Sequence, residues 1–274
     1  MMVEAIVYFF VPALVGVLIG IASGLLGIGG GTVMVPIFRL AFGMSATMST
    51  ATSLFAIIPT SISGAISHVK GKTCIPALGI AAGLGGACLS PVGVWLAQLS
   101  PDWLVMLAAA LIIGYSAINM FKKAFKLRPA GQPAAGVDAA APTADDSSLS
   151  RKQLLQGAAI GLVAGLASGY VGVGGGFIMV PLMLSIVGIP MRKASGTSLI
   201  AVMILAIPGV IEQGIIGNIN YLAGIAIVIG TIPGAVIGAR LVTKVPERTL
   251  RLLFGCFLIV AAVMLVLNEV GIFG

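Results

Sequence analysis

The sequence predicts an all-α polytopic membrane protein, built as an inverted-topology repeat of five segments plus five. Three observations predict it. First, 59% of the 274 residues are hydrophobic and only 8% are charged, whereas a soluble domain carries about 25% charged residues. Second, eight apolar stretches have about the 20 residues that a helix needs to cross a membrane. Third, one glycine-rich segment occurs twice, at 24–38 and at 169–183.

The elements follow in order along the chain. The expected full spans are 4–25, 46–67, 74–98, 101–121, 154–172, 194–215, 219–241 and 248–269. Two shorter apolar segments, 32–42 and 177–187, are about 16 Å long as helices, or half of the hydrocarbon thickness. The N-terminus lacks the basic start of a signal peptide, so we expect the first span to be retained.

Residues 122–152 interrupt this pattern, because they are rich in Ala, Pro, Asp and Ser. Such a composition predicts a flexible linker. The predicted domains are therefore an N-terminal transmembrane repeat at 1–121, a flexible cytoplasmic linker at 122–152 and a C-terminal transmembrane repeat at 153–274.

The basic residues predict the orientation. When the spans are counted, 14 of the 15 Lys and Arg residues can lie on one side of the membrane, and only Arg39 lies opposite. The positive-inside rule makes that side the cytoplasm. We expect a bacterial inner membrane protein with both termini outside. The net charge of +7 is assigned to this topology and not to nucleic-acid binding.

A shift of 145 residues relates the two halves. The positions that share identical residues in the glycine-rich segments are Ser23, Gly24, Gly27, Gly29, Gly30, Gly31, Met34, Val35 and Pro36, which map onto Ser168, Gly169, Gly172, Gly174, Gly175, Gly176, Met179, Val180 and Pro181. Arg39 follows the first short segment outside, whereas Arg192 and Lys193 follow the second inside. The two units therefore enter the membrane in opposite senses, an arrangement typical of secondary transporters.

The repeated glycines predict broken helices. Each glycine costs a helix about 1 kcal/mol relative to alanine, and unwound backbone inside a membrane must face protein or a watery cavity. The helices that restart at Thr32 and Phe177 would direct unpaired N–H groups and a partial positive charge at the break. Such ends bind anions without Lys or Arg. The alternative is that these glycines serve close helix packing.

Hydroxyl groups on the following segments are further candidate donors, although they can instead bond to their own helix backbone. Thr52 and Ser53 recur as Thr197 and Ser198 and are therefore expected to line the cavity. The predicted substrate-binding residues are Gly27, Gly29, Gly30, Gly31, Thr32, Thr52, Ser53, Gly172, Gly174, Gly175, Gly176, Phe177, Thr197 and Ser198.

Basic side chains offer a second contribution. Arg192, Lys193 and Arg240 are candidates for attracting anions to the inner mouth, and the alternative is that they reach out to cytoplasmic headgroups. We expect the single histidine, His68, to lie at the membrane interface on the cytoplasmic side. The more specific hypothesis is that it changes its protonation state and thereby controls entry of the substrate. For Glu212 the alternatives are a solvated helix end or a proton-coupling carboxylate.

Two polar residues in span 101–121, Ser116 and Asn119, either bond between helices or face the cavity. The three cysteines, Cys74, Cys88 and Cys256, lack C-x-x-C spacing and are expected to be small packing residues. We predict no cofactor and no metal site. The sequence contains no Ser/His/Asp set, no H-E-x-x-H motif and no Walker A sequence, so we predict that the protein is not an enzyme.

The two G-x-G-G-G-x-x-x-V-P motifs, at 27–36 and 172–181, are each followed by a Thr-Ser segment. In these features the chain resembles the sulfite exporter TauE/SafE family of membrane permeases over nearly its whole length. The resemblance implies transport of sulfite or an organosulfonate such as sulfoacetate, usually outward. The residues alone predict a small anionic substrate bound centrally, with alternating access in a lipid bilayer. An anion channel or facilitator, an importer of another small anion, and a homo-oligomer are left open.

Overall fold

The computed structural model describes residues 2–126 and 150–269, and side chains from 12 to 125 and from 150 to 267. Every regular element in that part of the chain is helical. The elements are α1 Met2–Leu26, α2 Gly31–Phe42, α3 Ala46–Lys70, α4 Pro76–Leu99, α5 Asp102–Lys126, α6 Arg151–Val171, α7 Gly176–Leu182 with the π-helical turn Met183–Val187, α8 Met191–Ile216, α9 Tyr221–Leu241 and α10 Glu247–Glu269.

Seven of the described helices, α3 to α6 and α8 to α10, are long and apolar enough to cross a membrane. The predicted polytopic all-α class is thereby confirmed. Most of the predicted linker, 127–149, lies outside the described residues. Its two ends are helical, because α5 continues to Lys126 and α6 begins at Arg151.

Both predicted helix breaks are present. The chain leaves α1 at Leu26 and restarts at Gly31, and it leaves α6 at Val171 and restarts at Gly176. Each break contains glycines in the left-handed region, with φ between 69° and 87°, where a side chain is strained. These glycines are Gly27, Gly29, Gly30, Gly172, Gly174 and Gly175. We call residues 27–31 and 172–176 the two glycine loops.

The first helix of each half packs closely against the fourth helix of the other half. On α1, a Cβ at Gly20 would lie 2.4 Å from the Thr231 carbonyl oxygen of α9. At the equivalent crossing of α6 and α4, a Cβ at Gly165 would lie 2.1 Å from the Gly86 carbonyl oxygen. Glycines spaced by four residues allow this approach. The two sequence halves are therefore interleaved in space.

Polar contacts at the ends of helices also recur 145 positions apart. The Asp102 carboxylate accepts a hydrogen bond from Ala46 N at 3.2 Å, and Glu247 accepts one from Met191 N at 2.6 Å. Each carboxylate on the fifth helix of a half thus accepts a hydrogen bond from a backbone N–H in the first turn of the third helix of the same half. Negative charge is favourable at this end of a helix.

The outer surface of the bundle is apolar. Large side chains such as Leu18 and Ile215 are 67% and 82% exposed, respectively, as expected for residues that contact lipid. Cys88 and Cys256 are also exposed, while Cys74 is half-buried. The three cysteines were expected to be small packing residues; Cys88 and Cys256 lie on outward faces of α4 and α10.

Candidate functional site

The two glycine loops contact each other. A Cβ at Gly31 would lie 2.5 Å from the carbonyl oxygen of Val173, and a Cβ at Gly176 would lie 2.5 Å from that of Gly27. Only residues without side chains permit this contact between the loops.

Each loop also packs against the third helix of the opposite half. A Cβ at Gly27 would lie 2.4 Å from the Ser195 carbonyl oxygen of α8, and a Cβ at Gly172 would lie 2.2 Å from the Thr50 Cβ of α3. Thr50 and Ser195 are themselves 145 positions apart. The paired loops therefore lie between α3 and α8, at the centre of the bundle.

Helix α3 presents a row of buried hydroxyls on one face. Ser49, Ser53, Ile57 and Ser61 are spaced by four residues, which aligns them along the helix. The Ile57 Cδ1 would be 2.6 Å from a Cβ at Gly31, and the Ser61 hydroxyl would be 3.4 Å from a Cβ at Gly29. This face of α3 therefore borders the glycine loops.

In the part of the chain that the structure describes, the hydroxyls of Ser49, Ser53 and Ser61 are fully buried and have no hydrogen-bond partner. The sequence offered the alternative that such hydroxyls bond to their own helix, and Thr50 and Thr60 do so, to the carbonyls of Thr47 and Ala56. A buried hydroxyl without a partner costs about 1–3 kcal/mol. Hydroxyls of this kind are consequently donors available to a ligand.

More unpaired donors belong to the loops. Over the described residues, the N–H groups of Gly31, Thr32 and Phe177 donate no hydrogen bond, as expected at the start of a helix. The hydroxyls of Thr32, Ser23 and Ser168 are likewise buried and without a partner. The site thus combines neutral donors with the partial positive charge of a helix N-terminus, a combination suited to an anion.

The structure separates the four residues of the predicted Thr-Ser pairs. The Thr52 hydroxyl oxygen accepts from Asn220 N at 3.0 Å, and that of Thr197 accepts from Ile75 N at 2.9 Å. Both threonines therefore hold the start of a neighbouring helix, α9 or α4. The Ser198 hydroxyl donates to the Gly27 carbonyl at 2.7 Å. Only Ser53 keeps an unpaired hydroxyl.

Sequence reasoning did not include Ser23, Ser168, Ser49 and Ser61 among the site residues. Ser23 and Ser168 are identical at equivalent positions of the two halves, so the repeat held a signal for them. Ser49 and Ser61 lie at four-residue spacing from Ser53 and Ile57. That spacing is visible in the sequence, but which face of α3 meets the loops is not.

The three candidate basic residues have different surroundings. Arg192 donates to the Val245 carbonyl at 2.9 Å, which ties the start of α8 to the segment before α10. Lys193 is half-buried at the same end of α8, and Arg240 is exposed in the last turn of α9. Arg192 precedes Ser195, the residue that contacts Gly27, by one helical turn.

His68, expected to lie at the membrane interface, is enclosed by protein in the last turn of α3. It is fully buried, with Nε2 2.8 Å from the Gly24 carbonyl oxygen and Nδ1 2.7 Å from the Thr73 hydroxyl. It therefore links α3 to the end of α1. Glu212 is half-buried on α8, and one of its carboxylate oxygens has no partner.

Within residues 2–126 and 150–269, no three His, Cys, Asp or Glu side chains come together as a metal site. The donors around the glycine loops are backbone N–H groups and hydroxyls. Their chemistry suits an anion and gives a metal ion no carboxylate or imidazole ligand.

Comparison with known proteins identifies the family of this chain. The sulfite exporter TauE/SafE family matches residues 12–265. The probable membrane transporter protein YunE of Bacillus subtilis is 28% identical over 280 residues, covering 97% of this chain and 99% of that protein. A probable membrane transporter protein of Haemophilus influenzae is 29% identical over 275 residues, covering 93% and 97%.

Another probable membrane transporter protein, from Methanocaldococcus jannaschii, is 34% identical over 110 residues, covering 38% of this chain and 41% of that protein. No solved structure gives a significant match. Because the family match extends over most of the chain and the helices are long and apolar enough to span a membrane, this multi-pass protein belongs to the sulfite exporter TauE/SafE family of membrane transporters.

Proposed function

We propose that this protein is a secondary transporter that exports a small sulfur-containing anion, sulfite or an organosulfonate such as sulfoacetate, across the inner membrane by alternating access. The observation that carries the proposal is the set of unpaired donors around the paired glycine loops. Buried hydroxyls on α3 and N–H groups at the start of α2 lack partners in the part of the chain that is described.

The donors suit an oxyanion that must be released again. A hydrogen bond to a charged group contributes about 1.5–3 kcal/mol, so a few such bonds hold an anion without a fixed positive charge. Thr32, Ser53 and Ser61 supply hydroxyls, while Gly31 and Phe177 supply N–H groups. A buried Lys or Arg in the same place would bind the anion more tightly and slow its release.

Alternating access requires parts that move as units. We propose that the halves form an inverted repeat, but that the moving bodies are not the sequence halves. The most extensive packing joins α4 to α6 and α1 to α9, and α4 also packs against α8, while α3 packs to a similar extent against α8 and α9. We assign α1, α3 and α9 to one body and α4, α6 and α8 to the other. They meet where α3 contacts α8, beside the glycine loops.

Export of an anion has an energy source in the membrane potential. With the interior negative, about 2.3 kcal/mol is available per charge at 100 mV. At 1.4 kcal/mol per tenfold change, this sustains roughly a 40-fold outward gradient of a monoanion. Export therefore requires no coupled ion.

Binding is tested by adding sulfite, thiosulfate, sulfoacetate, sulfate or acetate to the purified protein and measuring thermal stability and binding heat. We expect sulfite or sulfoacetate to stabilise the wild type most. Gly30→Val and Gly175→Val should abolish this binding, because a branched side chain then occupies the loop. In contrast, Gly43→Val and Gly188→Val introduce a similar left-handed strain where a Cβ meets open space, and should retain binding.

Transport is tested with proteoliposomes loaded with radiolabelled sulfite. Unlabelled sulfite on the opposite side should accelerate efflux if the protein is a carrier. Flux without such acceleration would indicate the channel or facilitator instead. No binding of any of the anions would remove the proposed substrate class.

A further inference from the structure

A cavity separate from the glycine loops opens on the side of the bundle. It has a volume of about 790 Å³ and lies between α4, α5, α6 and α7. We call it the lateral cavity. Its lining on α5 runs from Ala108 to Lys123, which is about 22 Å of helix at 1.5 Å per residue. This is more than half of the ~30 Å hydrocarbon thickness, so the cavity is long as well as roomy.

The lining changes in polarity along that length. Lys123 lies at one end, followed along α5 by Asn119 and then Ser116. Beyond these residues the walls are mostly apolar, with Ile112 and Leu166 among the contacts. Tyr170 also lines the cavity, and its hydroxyl donates to Ser100 at 3.0 Å. In the described part of the chain Lys123 is the only charged residue that lines the cavity. The order of groups is thus cation, amide, hydroxyl and hydrocarbon.

The polar groups at this end have spare hydrogen-bonding capacity. Lys123 donates to the Pro181 carbonyl at 2.8 Å and also contacts the Ser185 hydroxyl. An ammonium group has three N–H donors, so one remains. Asn119 and Ser116 line the cavity and make no hydrogen bond with the described residues, and Ser116 is 4% exposed. These donors are therefore available to a molecule that enters the cavity.

The other half of the protein lacks this polar strip. At the positions 145 residues later, Ser116 and Asn119 are replaced by Ala261 and Met264, and Ser185 corresponds to Leu40. Donors needed only to hold two repeated helices together would be expected in both halves. Their presence in one half alone therefore points to a ligand.

We propose that the lateral cavity binds an anionic glycerophospholipid from the bilayer. The phosphate contacts Lys123, the ester carbonyls accept hydrogen bonds from Asn119 and Ser116, and an acyl chain lies along the apolar wall. The sequence of protein groups matches that of the lipid from headgroup to chain. Basic pockets between membrane helices bind anionic headgroups for this reason. The predicted orientation places Lys123 at the cytoplasmic leaflet. This site is independent of the transport proposal.

The test uses the full-length protein in detergent with palmitoyl-oleoyl phosphatidylglycerol or phosphatidylcholine, and counts bound lipid by native mass spectrometry during titration. We expect the wild type to bind phosphatidylglycerol about tenfold more tightly than phosphatidylcholine. Lys123→Gln should remove most of this preference, since one basic residue near a headgroup contributes about a fivefold to tenfold effect. Lys122→Gln is the matched control, because the neighbouring Lys122 is exposed, and should retain it.

The ester contacts have a different signature. Asn119→Met and Ser116→Ala, which introduce the residues found at the equivalent positions of the other half, should weaken the binding of both lipids equally. The preference for phosphatidylglycerol should be unchanged. These two variants also keep the Lys123 contacts, so they test the site if Lys123→Gln fails to fold. Lys123→Arg keeps the charge and should retain the preference for phosphatidylglycerol. Equal loss in Lys122→Gln and Lys123→Gln would overturn the proposal. Displacement of phosphatidylglycerol by millimolar inorganic phosphate or sulfite would overturn it too, because it would mark a small-anion site.

Discussion

Helices α3 and α8 occupy equivalent positions in the two halves but differ in what their polar residues do. Their threonines behave alike, since Thr52 and Thr197 each accept a hydrogen bond from the backbone at the start of a neighbouring helix. Their serines do not. Ser53 is buried without a partner, whereas its counterpart Ser198 donates to Gly27 in the glycine loop.

The same difference extends along the two helices. The unpaired Ser49 and Ser61 of α3 correspond to Ala194 and Ala206 of α8. Contacts found in both halves hold helices together, as the Asp102 and Glu247 caps also illustrate. On α3 and α8, the unpaired hydroxyls occur in one half only and are the better candidates for binding, whereas the unpaired Ser23 and Ser168 beside the glycine loops occur in both halves. This comparison distinguishes scaffold from site without reference to any ligand, and substitutions test it.

The largest expected effect is at the contacts between the glycine loops and the opposite helices. Gly27→Val and Gly172→Val should each prevent recovery of folded protein. Their Cβ atoms would lie within 2.5 Å of Ser195 or Thr50, and their φ angles are positive. The readout is the monodisperse fraction on size-exclusion chromatography. Gly188→Ala, at an equally left-handed position with open space, should be recovered at near wild-type yield. Normal yield of both valine variants would show that the loops do not pack as described.

The next effect concerns the moving bodies. In a background with the native cysteines replaced by serine, Thr60→Cys with Thr231→Cys should form a disulfide within one body, because the two hydroxyl oxygens are 2.5 Å apart. Transport should survive. Ile57→Cys with Val202→Cys, both beside Gly29, joins the two bodies when bridged by a short bifunctional thiol reagent, and should stop transport. The measurement is sulfite flux before and after reduction. Loss of sulfite flux with the Thr60 and Thr231 pair alone would show that α3 and α9 do not belong to the same moving body.

A smaller effect is expected for the unpaired serines of α3. Ser53→Ala and Ser61→Ala should each lower anion affinity by roughly tenfold or more, since a hydrogen bond to a charged group contributes about 1.5–3 kcal/mol. Thermal stability without ligand should stay the same or rise, because an unsatisfied buried hydroxyl is removed. Ser63→Ala is the control, as Ser63 already donates to the Ile232 carbonyl. Lower stability with unchanged affinity would assign these serines to the scaffold.

The smallest effect tests the equivalence of the scaffold contacts. Thr52→Val and Thr197→Val should each destabilise the protein by about 1–2 kcal/mol, because a backbone N–H of Asn220 or Ile75 loses its acceptor. The two midpoints of thermal unfolding should fall by similar amounts, and anion affinity measured below the midpoint should be unchanged. A selective loss of affinity in either variant would return that threonine to the binding site.

The two glycine loops could be predicted from the sequence, because clustered glycines weaken a helix locally. Gly29 and Gly174 have positive φ in the structure, and the repeat marked both loops at once. The roles of the hydroxyls could not be predicted. Thr52 and Ser53 are adjacent in sequence, yet one caps α9 and the other is unpaired, since successive residues on a helix point in different directions.

The membrane class, the two helix breaks and the correspondence between the halves follow from the amino-acid sequence alone, because length, hydropathy and glycine content act through local backbone physics. The interleaving of the halves, with α1 on α9 and α6 on α4, is visible only in the folded protein, as is the lateral cavity that Lys123, Asn119 and Ser116 line. Those outcomes depend on which helix surfaces approach closely, and glycine-lined surfaces on several helices compete for the same kind of contact.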